Sequence, residues 1–127
     1  MKMKATWFTL AVGTALLAAG CGGTKTIGTP AGTDVAATPL AAILEAPEKY
    51  DGQTVVLKGV LEAQCAALCD FTYAESGRSV TVYTPDPKPP RIQNGQPVRV
   101  TATVHKGEKQ VIITATGLEL LPRKGAR

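Results

Sequence analysis

The chain has 127 residues, 44% of them hydrophobic and 5% aromatic, with a formal net charge of +4. That is room for one small domain and no more. The charge is unevenly placed: Lys2 and Lys4 lie at the start and Arg123, Lys124 and Arg127 at the end, whereas residues 38–121 hold eight Lys/Arg against nine Asp/Glu. Such a near-neutral body lacks the clustered positive charge that binds a phosphate backbone, so nucleic acid is not the expected partner.

Lys2 and Lys4 precede an apolar run from Ala5 to Ala19 that is too short for a membrane-spanning helix. It ends in Leu17-Ala18-Ala19-Gly20-Cys21, which resembles the lipobox of bacterial lipoproteins, where small residues precede a cysteine that is acylated and becomes the mature N-terminus. The resemblance implies that residues 1–20 are a signal peptide, that Cys21 carries lipid (palmitate-type acyl chains), and that the chain is anchored to a membrane in the cell envelope. Gly22, rather than aspartate, after the cysteine implies the outer membrane facing the periplasm in a two-membrane cell. Residues 21–37 are rich in Gly, Thr and Ala with no apolar period. They are expected to form a lipidated flexible tether, with a random-coil reach of ~20–24 Å for residues 22–37.

The folded domain is expected over residues 38–121. Thr38-Pro39 reads as a helix start, threonine as N-cap and proline at the first helical position. Leu40, Ile43 and Leu44 give one apolar stripe. Pro47 ends that helix, and Pro47-Glu48-Lys49-Tyr50 forms one further turn before Asp51-Gly52. From Thr54 to Cys65 the odd positions Val55, Leu57, Gly59, Leu61 and Ala63 are apolar or small, as in a long strand with one buried face and a bend at Gly59. Ser76-Gly77 predicts a hairpin pairing Phe71 with Val82 and Tyr73 with Val80. A second hairpin, turning at Gly107-Glu108, sets Val104 opposite Val111, Ala102 opposite Ile113 and Val100 opposite Ala115, with Arg99, Thr101, Thr103 and His105 on the other face. The four prolines between Thr84 and Arg91 predict an extended connector. Residues 122–127 read as a basic disordered tail.

One short helix and five strands make an all-β domain that closes most economically as a small barrel. The stretch AILEAPEKYDG, then TVVLKGVLE, CAALCDF and VRVTATVHKGEKQVIITATGLEL, resembles the small OB-fold domains of bacterial envelope lipoproteins. The resemblance implies a five-stranded OB-like barrel behind a signal peptide and tether, and it implies little about the ligand.

Chemistry-bearing residues are few. Outside the signal, Cys65 and Cys69 remain, and in an oxidising envelope they are expected to form a local disulfide. The alternative is a Zn or Cu site built from Cys65, Cys69 and His105, with water or Asp70 completing the shell. Aromatic residues after processing are limited to Tyr50, Phe71, Tyr73 and Tyr83, which weakens single-stranded nucleic-acid binding by stacking. One histidine and no catalytic motif argue against an enzyme. The expected role is therefore a non-enzymatic binding or interaction module without a cofactor. Its binding face would be Arg99, Thr101, Thr103 and His105, and its partner an envelope protein, peptide, glycan or small ligand. Oligosaccharide or single-stranded nucleic acid on the OB face is the lower alternative. Replacing Cys21 by serine is expected to move the protein from membrane to soluble fractions, and tight membrane association that persists without acylation would overturn the lipobox reading.

Overall fold

A computed structural model describes residues 25–84 and 88–123. The signal peptide and Cys21 lie outside the described residues. Strand β1 (Lys25–Gly28) is followed by helices α1 (Leu40–Glu45) and α2 (Pro47–Tyr50) and by strands β2 (Thr54–Gln64), β3 (Asp70–Glu75), β4 (Arg78–Tyr83), β5 (Gln96–Lys106) and β6 (Val111–Leu120). Strands β2 to β6 close into a five-stranded barrel. Antiparallel pairings join β4, β3, β2, β5 and β6 in turn, and a short parallel pairing of Val82 with Ile113 and Tyr83 with Thr114 seals the ring. This is an OB-like small barrel with one extra strand.

The β3–β4 hairpin has the expected register, with Phe71 opposite Val82 and Tyr73 opposite Val80. Ser76 and Gly77 both have positive φ (50° and 80°), as a tight two-residue turn requires. The second hairpin differs. Val104 lies opposite Ile113, Ala102 opposite Ala115 and Val100 opposite Leu118. The turn is centred on Glu108-Lys109, because the Gly107 N–H bonds the Gln110 carbonyl at 2.9 Å. A shift of two keeps every side chain on its expected face, so the hydrophobic pattern could not have detected it. Farther along, a bulge after Thr101 moves the register by one more residue. In β2 a second irregularity between Leu61 and Ala63 turns Ala63 out to solvent, against the expected inward position.

Gly59, where a bend was expected, is a point of close approach between strands. A Cβ there would sit 2.4 Å from the Ala74 carbonyl oxygen and 2.7 Å from the Tyr73 hydroxyl. Glycine lets the Tyr73 ring pass into the core beneath β2. The phenol donates to Glu75 Oε1 at 2.6 Å, and the other oxygen of the same carboxylate accepts the Leu40 N–H at 2.8 Å. This bond replaces the expected cap. Thr38 makes no capping bond, its N–H instead donates to the Val56 carbonyl at 2.7 Å, and the helix starts one residue later, at Leu40, with Pro39 extended (ψ 134°). Leu40 and Ile43 are fully buried and extend the barrel core of Leu57, Leu61, Phe71, Tyr73, Val98, Val100 and Val104. Each such aliphatic side chain contributes about 1.5–3 kcal/mol relative to exposure.

The stretch expected to be a flexible tether is docked from Lys25 onward. β1 pairs Lys25–Gly28 with Gly117–Leu120, the edge of β6 that β4 leaves free. The following residues cross the barrel's outer face so closely that a Cβ on Gly117 would lie 2.4 Å from Pro30. Arg99 then clasps this strap, its guanidinium donating to the carbonyls of Ala31 (2.9 Å), Gly32 (2.6 Å) and Val35 (3.3 Å) while pairing with Glu119 at 2.9 Å. The strap accounts for Val56 and Thr101, cross-strand partners on the outer face that are nonetheless buried. At the other end, Arg123 of the expected disordered tail bonds Gln96 at 3.4 Å. The connector beyond Pro87 has no regular secondary structure, and the Gln64 amide bridges the Pro90 carbonyl (3.0 Å) and the Ile92 N–H (2.6 Å).

Two outcomes follow. Arg99→Met should speed hydrogen exchange at the Thr29 and Ala31 amides while core strand amides keep their protection; unchanged exchange at Ala31 would show that the arginine does not hold the strap. Burial first, and the bond to Glu75 second, raise the Tyr73 pKa above its ordinary value. Folding thus favours the neutral phenol, so this contribution is complete below the unfolded pKa of about 10 and is lost as pH rises beyond it. Tyr73→Phe should cost about 1–3 kcal/mol at neutral pH by orphaning part of Glu75. Its thermal midpoint should also fall less steeply than the wild type's above about pH 10.

Candidate functional site

Alternation along β3 and β4 sends Phe71, Tyr73 and Val82 into the core and leaves Thr72, Ser79, Thr81 and Tyr83 on the outer face. Thr72 faces Thr81 across the ladder, and Tyr83 lies opposite Asp70. With Leu44 of α1 and Gln110 of the β5–β6 turn, these side chains line a groove of about 320 Å³. Tyr83 is 40% exposed. Among the described residues, no Lys, Arg, His, Asp or Glu lines this groove. It offers hydroxyls, one amide and one aromatic face beside the aliphatic side chains of Leu44, Val80 and Val111. A larger groove of about 540 Å³ across the β2–β3 bend is of mixed charge, with Lys58, Glu62, Glu75 and Arg78 on its walls. The Glu75 carboxylate there is already engaged with Tyr73 and Leu40.

The expected binding face on β5 is largely covered. Arg99 is occupied by the strap and Glu119, and Thr101, 3% exposed, accepts the Ala31 N–H at 2.8 Å. Thr103 is half-buried and only His105 is exposed. The reason is the docking of residues 29–35, whose backbone polar groups are satisfied by the very side chains that periodicity had assigned to a ligand.

The loop from Cys65 to Cys69 gathers the sulfur chemistry. The Cys65 N–H bonds the Asp70 carbonyl at 3.0 Å and the Leu68 N–H bonds the Cys65 carbonyl at 2.9 Å, while Leu68 sits at φ 60°. Thr84 secures the loop from β4, its hydroxyl donating to Leu68 O at 2.8 Å and its N–H to Cys69 O at 2.9 Å. The expected disulfide is not formed: the Sγ atoms are 3.2 Å apart, against about 2.05 Å for the bond. The Cys69 S–H donates to Cys65 Sγ, which lowers the Cys65 pKa and raises that of Cys69. Asp70 Oδ2 lies 3.8 Å from Cys69 Sγ. His105 does not join this cluster. It lies near the end of β5 that pairs with Ile112 of β6, and the donors gathered at the loop are Cys65, Cys69 and Asp70.

The closed barrel and its outer-face groove define a small β-barrel domain of the OB-like class. No protein-family profile matches the chain, and no curated protein is similar to it. Among solved structures, the chain is similar to a "putative aspartyl-tRNA synthetase" from Leishmania major Friedlin, with a TM-score of 0.57 and 14% identity, covering 76% of this chain and 22% of that one. The chain thus spans about a fifth of that protein, and the likeness shows a shared fold alone.

Proposed function

We propose that the protein is a lipid-anchored, non-enzymatic binding module of the bacterial cell envelope that holds a stretch of neutral glycan in the groove beneath Tyr83. The anchoring rests on the resemblance of Leu17–Cys21 to a lipobox, and the outer membrane is the address that Gly22 favours in a two-membrane cell. The observation that carries the ligand class is the lining of the groove, in which Thr72, Thr81 and Gln110 supply hydrogen-bonding groups around the half-exposed Tyr83 ring and, among the described residues, no charged side chain takes part. Sugars are recognised by hydroxyl and amide groups around an aromatic platform, whereas a phosphate-bearing strand needs Lys or Arg along its path. A groove with this lining favours a saccharide over single-stranded nucleic acid, although OB-like folds host both.

Calorimetric titration of the purified chain with N-acetylglucosamine oligomers tests this reading. Binding should be insensitive to salt and about tenfold weaker in Tyr83→Ala, the loss of one aromatic contact of roughly 1–1.5 kcal/mol. Undetectable binding, or equal affinity in the variant, would overturn the glycan reading. Tighter, salt-dependent binding of single-stranded DNA by the same chain would replace it.

A further inference from the structure

The cysteine loop is a second site, separate from the groove, and we infer that Cys65, Cys69 and Asp70 form a binding site for one zinc ion. The three donor atoms lie within 4.8 Å of one another, and they come from a loop whose backbone is already fixed. Thr84 holds the Leu68 and Cys69 carbonyls from β4, and Arg91 holds the Ala66 carbonyl from the connector at 3.3 Å.

Magnitudes decide between a metal and a disulfide for this geometry. A tetrahedral ion with Zn–S bonds of about 2.3 Å and a Zn–O bond of about 2.1 Å spaces sulfur from sulfur by roughly 3.8 Å and sulfur from oxygen by roughly 3.6 Å. The observed Cys65–Cys69 and Cys69–Asp70 separations are 3.2 Å and 3.8 Å. Loading zinc therefore needs the sulfurs to part by about 0.6 Å, whereas a disulfide needs them to close by about 1.2 Å. A carboxylate as third donor suits zinc better than copper(I), which is selected by sulfur ligands. Two S–Zn bonds and one O–Zn bond form, the two thiol protons pass to solvent, and no electron is transferred. The fourth position is left to water, because the loop is at the surface.

The test uses the full chain, reduced with a non-thiol reductant under argon, stripped of metal and titrated with Zn²⁺ against a chromophoric chelator. Co²⁺ serves as the spectroscopic probe. One equivalent should bind, and the cobalt form should show thiolate-to-metal charge transfer. Cys65→Ser and Cys69→Ser should each abolish tight binding, Asp70→Asn should weaken it by at least about tenfold, and His105→Ala should leave it unchanged. Thiol alkylation of folded wild-type protein should abolish binding, which keeps the test independent of whether a variant folds. The inference fails if reduced wild-type protein binds no stoichiometric zinc, if binding survives alkylation, or if it is lost in His105→Ala while Asp70→Asn retains it.

Discussion

The carboxylate of Glu75 is the joint on which the domain depends. One oxygen receives the phenol of Tyr73 from inside the barrel, and the other receives the first N–H of α1. Through this single group the helical plug, the buried tyrosine and the end of β3 are fixed relative to one another. Tyr73 reaches that position because β2 has no side chain where it crosses, at Gly59. The same crossing sets the bend of β2, which must pair with β5 along its first part and with β3 along its last. Closure at Val82–Ile113 then completes the ring and leaves the outer face of β3–β4 open beside α1.

Much of this was legible from the chain because local chemistry and periodicity pointed the same way. Ser76-Gly77 has one favourable turn geometry, so the β3–β4 register followed from it, and Pro47-Glu48-Lys49-Tyr50 forms the short turn of helix that its proline allows. Where the partner is distant, sequence logic lost its grip. Next to its turn the β5–β6 register slips by two, with no residue changing face, and only the turn geometry distinguishes the alternatives there. Thr38 had the composition of a cap but not the need for one, since the carboxylate of Glu75, 35 positions beyond Leu40, supplies it. The four residues of β1 carry no readable alternation. Their partner edge exists only once β6 has been left uncovered by β4.

The candidate sites divide along the same line. The proximity of Cys65 and Cys69 is a local property and was visible in their spacing, whereas the place of His105 depends on strand order around the whole ring. Arg99 and Thr101 were correctly assigned to the outer face, but that face is already occupied by the chain itself. The groove under Tyr83 was missed, although its signal was present. The alternation that sends Phe71, Tyr73 and Val82 inward also sends Thr72, Thr81 and Tyr83 outward, and the Leu44 and Gln110 walls require the folded arrangement.

The docked strap also changes what an acyl group on Cys21 would mean. A free tether from that cysteine would let the barrel wander well clear of the bilayer and search for partners. With Lys25 already stitched to Leu120, three residues separate Cys21 from the barrel in sequence, and a stretch of that length extends no more than about 14 Å between its anchoring Cα atoms. A protein held so short would be confined to a thin layer against the headgroups, and its ligands would be those that come to the membrane surface.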